Sequence, residues 1–238
     1  MAGIESCGPV TALTLGLPST TAVTHPRGRL AKERFYENTK VGRRLRRRFI
    51  EDVGSITMLA VIRGRETGIP DGPLTHEINV IGLEQSTERP PVEVMEHIAR
   101  VRDELTRHGS RILFVCVDGG RARLAVFRNA NVAEGLMEGA VHVGGPAGCA
   151  ETHVRLDGTD LDAVWDSMCA DVILGSADST RLDRRIVSRT RIMGLTGEID
   201  QLERRLAKAV QVGRRNRIWD ELQAKRHELE REQQGGTL

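Results

Sequence analysis

Apolar positions along this chain change period several times, and each change marks an element. Val41, Leu45, Phe49, Val53 and Ile56 recur every three or four residues, which predicts a helix from about Ala31 to Val53 with one core-facing stripe. Ile56–Arg63 and His76–Glu84 then read as strands, with Ile78 and Val80 on one face and Glu77, Asn79 and Ile81 on the other. The stretch between them, RETGIPDGPLT, is rich in turn residues. Pro90-Pro91 opens a second helix to about His108, with Val94, Ile98, Val101 and Leu105 as its stripe. RILFVCVDGGRARLAVF predicts an antiparallel hairpin turning at Asp118-Gly119-Gly120, its first strand apolar throughout, as in a central strand.

Residues 129–150 read as irregular, and Thr152–Leu156 as a short strand. Thr159 is the expected cap of a helix carrying Asp160 and Asp162 in its first turn and Leu161, Trp165, Met168 and Val172 on its buried side. Beyond a GSADST linker at 175–180 the chain is charged and helical from about Arg181 to Gln233. Ile192, Leu195, Ile199, Leu202 and Leu206 step at heptad spacing; after Gly213, Ile218, Leu222 and Leu229 resume in a shifted phase. That pattern fits either one long coiled-coil helix with a stutter or two helices folded into a hairpin. Asp200–Arg204 and Glu221–Lys225 are its expected supporting pairs. Residues 1–30 are rich in Gly, Pro, Ser and Thr; Leu13–Leu17 is a short strand or a packed loop, closed by GLPS at 16–19.

These elements make an α/β (α+β) fold: a mixed β-sheet with packed helices over residues 1–175, then a charged helical arm over 176–238. The length suffices for one good-sized core plus an appendage. Aromatic residues are 3% of the chain, so the core rests on Val, Ile, Leu and Ala. No run of ~18–20 apolar residues suggests a membrane span, and no secretory leader pattern opens the sequence. Cys7, Cys116, Cys149 and Cys169 have no paired spacing, which fits a reducing cytoplasm.

Net charge is +2, so there is no global nucleic-acid signature; charge is concentrated locally. Arg43, Arg44, Arg46, Arg47 and Arg48 cover the outer side of the first helix. They are candidates for contact with nucleic acid or an acidic partner, against the plainer reading of a solvated face.

Candidate chemistry is sparse. His142, Cys149, His153 and Cys169 do not form the two close ligand pairs of a structural zinc site, so no metal is expected. GGPAG at 144–148 lacks the Lys and Ser/Thr of a phosphate loop, and there is no GxSxG elbow; no cofactor is expected. Cys116 lies within an apolar strand, where thiols are inert. A metal-dependent nuclease needs converging acids. Glu77, Glu84 and Asp71 are the available ones, but residues 41–207 contain no lysine, and Gln85 replaces the basic group such a site uses. That reading therefore requires Glu77 and Glu84 to meet in a cleft beside an Asp.

GLPS (16–19), KERFYEN (32–38), EINVIGLE (77–84), ILFVCVDGGRARLAVF (112–127), LDAVWDSM (161–168) and EIDQLERRL (198–206) occur in an order that resembles bacterial domain-of-unknown-function family 4391, over nearly the whole chain. The resemblance implies an architecture and an accessory role beside a helicase or DNA methyltransferase in phage-defence or restriction loci. It supplies no catalytic residue. Phe35, Tyr36, Glu37 and Asn38 match its most distinctive motif and read first as structural: two aromatics docking a helix on the sheet and two polar residues fixing its first turns. The expectation is a non-catalytic accessory or interaction protein, an adaptor binding a protein partner or itself through the 181–233 arm. The alternative is a divergent nucleic-acid-binding or metal-dependent nuclease-like subunit.

Overall fold

The computed structural model describes residues 10–24, 26–37, 41–105, 109–132 and 135–235, and the side chains of all but 103, 129–138 and 235 among them. It divides into two compact units: Met1–Asn129 with Glu138–Thr180, and Ala130–Met137 with Arg181–Leu238.

The first unit is built on a mixed sheet. The strands are β1 (Arg29–Leu30), β2 (Val53–Ile62), β3 (Glu77–Gln85), β4 (Ser110–Asp118), β5 (Arg121–Val132), β6 (Gly135–Val143) and β7 (Ala147–Gly148), of which the end of β5 and the start of β6 are counted with the second unit. Strands β1 to β6 lie side by side in chain order, and β7 pairs with β5. β3 and β4 run parallel, Glu77 opposite Ser110, joined by helix α3 (Val92–Leu105), as a parallel pair requires. The β4–β5 hairpin closes at Gly119-Gly120, with Asp118 opposite Arg121. Gly119 takes φ +57° there, a conformation that favours glycine.

Both faces of β3 are covered, so Ile78, Asn79, Val80, Ile81 and Leu83 are all buried. On one face Ile81, Leu83, Ile112, Phe114 and Cys116 pack with Phe49 of α1 (Arg43–Glu51) and with Val94, Met95 and Ile98 of α3. The other face receives α4 (Leu161–Leu174), whose Leu161, Val164, Trp165, Met168, Cys169, Val172 and Ile173 are buried. A one-turn helix, α2 (Gly64–Thr67), leads into the 68–76 loop. That loop sits on the start of α4: Leu161 N–H donates to Pro70 O at 2.9 Å, and Leu74 N–H to Asp162 Oδ2 at 3.1 Å. Gly72 is required there, because a Cβ would lie 2.7 Å from the Asp162 backbone nitrogen.

Several expectations are corrected. The helix foreseen from Ala31 to Val53 is a 3-10 turn at Lys32–Phe35 followed by the shorter α1. Val53 and Ile56 belong to β2, where a register shift between Val53 and Ser55 turns both into the same core cluster. A bulge thereby reproduces helical spacing inside a strand. Residues 129–150 are not irregular: β5, β6 and β7 occupy most of them. Thr152–Leu156 forms no strand; Val154 N–H makes a backbone bond to Leu15 O. Asp160 rather than Thr159 caps α4, accepting from Ala163 N–H at 2.9 Å. Leu105 is exposed at the end of α3, whereas Leu13–Leu17 follows the packed-loop alternative, with Leu15 and Leu17 buried. Cys149 is disulfide-bonded, against the expectation from spacing.

The second unit contains α5 (Leu182–Lys208) and α6 (Val212–Gly235), an antiparallel hairpin. Ile199 and Leu202 pack against Ile218 and Leu222, while Arg191 reaches Glu228 at 2.9 Å and Glu232 at 3.3 Å. The turn is Ala209–Gln211, where Ala209 leaves the helical region at ψ 117°. Gly213, the expected interruption, lies inside α6. Lys225 bonds Glu198 at 2.8 Å and Glu228 at 3.3 Å rather than Glu221. Among the described residues no helix is long and apolar enough to cross a membrane.

Candidate functional site

Three polar features could carry function. The first is Glu77, at the start of β3. Its Oε2 accepts from Arg63 Nε at 2.9 Å and from Arg63 Nη2 at 2.5 Å. Its Oε1 accepts from Asn79 Nδ2 at 2.9 Å, Arg102 Nη2 at 2.9 Å and Ser110 Oγ at 3.0 Å. Burial pushes the carboxyl up, but the hydrogen bonds from Asn79, Arg63, Arg102 and Ser110 outweigh it and bring the pKa down to about 2. Such a carboxylate is ionised, saturated with donors and unsuited to proton transfer near neutrality. Asn79 is fully buried and donates to Ser110 Oγ at 2.7 Å, so the cluster ties β3, β4, α3 and the end of β2 together.

The convergence that a nuclease needs does not form. Glu84 is seven residues further along β3, about 23 Å from Glu77 for an extended strand, and accepts from Ser55 Oγ at 3.0 Å. Asp71 faces His76 at 3.7 Å. Among the described residues no group of three or more His, Cys, Asp or Glu is placed to hold a metal. His142 lies on β6, and Cys169 inside α4. His153 Nδ1 meets Glu151 O at 2.8 Å. Burial pushes the thiols of Cys116 and Cys169 up to about 12, which leaves both protonated and unreactive.

The second feature is the arginine face of α1. Four of its five arginines are engaged within the protein. Arg44 meets Glu93 at 2.5 Å, Arg47 meets Glu51 at 3.5 Å and Arg48 meets Asp52 at 3.0 Å. The Arg46 guanidinium lies over Tyr36, 5.4 Å from the ring centre. Arg43 is exposed. Beside this face a depression of about 520 Å³ is lined by Arg48, Arg89, Asp52, Glu88 and Glu93, so acids outnumber bases where a phosphate would sit.

Phe35 and Tyr36 pack on Phe49, with ring centres 6.3 and 5.5 Å apart, and His97 and Phe49 lie perpendicular, with ring centres 5.9 Å apart. His97 Nε2–H donates to Phe35 O at 2.6 Å, fixing the 3-10 turn on α3. Glu37 closes that turn by donating its N–H to Glu33 O; Asn38 lies outside the described residues.

The third feature is the closed end of the α5–α6 hairpin, which sequence reasoning passed over. Arg204, Arg205, Lys208, Arg214, Arg215 and Arg217 are all exposed. Val210, Val212 and Trp219 are exposed among them. The available signal was six bases with no Asp or Glu from Arg204 to Trp219; the heptad spacing points to the apolar seam instead.

Together these describe an α/β protein with a mixed sheet, covered on both faces, and a helical hairpin unit. The chain belongs to the family described as a domain of unknown function, DUF4391, whose family model matches residues 15–229. No curated protein and no solved structure matches the chain.

Proposed function

We propose that this chain is a non-catalytic accessory protein that acts by binding, an adaptor for a larger DNA-processing partner such as a helicase or methyltransferase in a phage-defence or restriction locus. The α/β domain is the docking module, and its α1 face, Arg43, Arg44, Arg46, Arg47 and Arg48, meets an acidic protein surface. The observation that carries this reading is the state of Glu77. The best-placed carboxylate in the sheet is consumed by two arginines, an asparagine and a serine, a structural clamp rather than a reactive group. The arm fits the same role. Its apolar seam is filled by its own two helices, which supports a monomer whose outer surface is available to a partner.

The test is incubation of the purified chain with plasmid DNA and Mg²⁺ or Mn²⁺, alongside gel filtration with a helicase or methyltransferase of the proposed kind of locus. The expected result is intact plasmid and a stoichiometric complex that weakens when Arg43, Arg44 and Arg47 are changed to Gln. Cleavage that disappears in a folded Glu77→Gln variant would contradict the proposal. A nucleic-acid-binding role is favoured by a different observation, the free cations of the hairpin end.

A further inference from the structure

We infer that the closed end of the α5–α6 hairpin is a nucleic-acid-binding tip that grips the phosphodiester backbone. The inference extends the reading of the chain as a binding protein and rests on it.

The charge arrangement differs between the shaft of the hairpin and its end. Along the shaft, cations are matched by acids: Arg191 by Glu228 and Glu232, Lys225 by Glu198 and Glu228, Arg226 by Glu203. These contacts raise the Lys225 pKa and lower that of Glu228. At the end the pattern stops. Six bases and no acid lie between Arg204 and Trp219, all six are exposed, and among the described residues no ion pair engages them. Arg217 only donates to Gly213 O at 3.3 Å.

Local helix electrostatics sharpen the contrast. Arg204, Arg205 and Lys208 close α5, where the dipole favours cations. Arg214 and Arg215 open α6, whose first turn holds no acid, so they sit at the positive end of its dipole. The negative pole of α5 and the positive pole of α6 offset each other at this end, so it is the six cations that load it with like charge. An isolated protein relieves this only through solvent, whereas a polyanion relieves it directly. The free N–H groups at the start of α6 suit phosphate as well.

The exposed Trp219, 53% accessible, lies four residues after Arg215 and seven after Val212, on one side of α6. A flat ring beside guanidinium groups suits the sugar–phosphate surface of a duplex, where the ring packs on deoxyribose, better than a carboxylate-rich protein. Two helices packed 8–10 Å apart are too broad to enter a major groove about 12 Å wide together. The tip therefore lies across the backbone, and binding is independent of sequence.

The experiment is fluorescence anisotropy of a labelled 20-base-pair duplex titrated with the full chain between 50 and 200 mM salt. For six phosphate contacts, log K against log salt has a slope of about −5. The variant R214Q/R215Q/R217Q keeps helix-forming side chains; its expected slope is about −3, with affinity at 100 mM salt reduced at least about tenfold. R43Q/R44Q/R47Q in α1 is expected to bind as the native chain does. Iodide quenching supplies a readout independent of these variants: Trp165 is buried and Trp219 exposed, so duplex binding should protect the accessible emission.

Unchanged binding by the α6 variant, loss that follows the α1 variant, or preference for polyglutamate over duplex at equal salt would each overturn the tip assignment. Cleavage of the duplex with Mg²⁺ would overturn the non-catalytic reading and leave the tip standing. Failure to bind any duplex, with complex formation to a protein partner intact, would do the reverse.

Discussion

At the scale of single residues, Glu77 shows how much hydrogen bonding a largely buried carboxylate requires. Its pKa is lowered from 4.5 to about 2, so its stabilisation is present in full above pH ~4.5 and is lost as pH falls through about 2. Discounted for solvent screening, that contribution is on the order of 2 kcal/mol. Glu77→Gln keeps the shape but removes the charge that Arg63 and Arg102 face. The expected outcome in urea melts is a loss on the order of 2 kcal/mol at pH 7 and a flatter acid limb between about pH 5 and 2. An unchanged acid limb would mean that the carboxylate is not held by these partners. Gly72 gives a steric counterpart. A Cβ there meets the Asp162 backbone at 2.7 Å, so Gly72→Ala is expected to cost about 1–3 kcal/mol in the same assay.

At the scale of elements, the hairpin makes two opposite predictions. Leu202 is buried in the seam, and Leu202→Ala is expected to cost about 2–5 kcal/mol of hairpin stability, read as faster amide exchange confined to α5 and α6. Gly213 lies in the first turn of α6 with nothing near its missing Cβ, so Gly213→Ala is expected to stabilise the same amides by up to about 0.5 kcal/mol. These elements also show what a sequence alone reveals. The β4–β5 hairpin and α4 are legible because Gly119-Gly120 and a long apolar stripe leave few alternatives. Helix α1 is misjudged at both ends because a bulge in β2 places Val53 and Ile56, three residues apart, in one core. β6 is hidden because Gly135, Glu138 and Gly139 have poor strand propensity, and pairing with β5 overrides it. The α5–α6 turn is missed because glycine draws the eye to position 213, whereas Ala209 adopts the extended backbone without one. Arg63, Asn79, Arg102 and Ser110 could not be grouped around Glu77 from spacing, since the β2–β3 register brings in Arg63, the parallel β3–β4 register brings in Ser110, and α3 supplies Arg102.

At the scale of the whole molecule, the proposed binding divides between two units: an α/β domain whose ionised groups are largely satisfied within the fold, and a hairpin whose apolar seam is closed but whose end is unneutralised. Light scattering after size exclusion, on the full chain with and without a 20-base-pair duplex at low and high salt, tests this most directly. The account predicts a monomer that shifts to a protein–duplex complex at low salt, releases it at high salt and returns the duplex uncut. A stable dimer that ignores the duplex at both salts would contradict it, placing the seam between copies and leaving the basic end as ordinary surface.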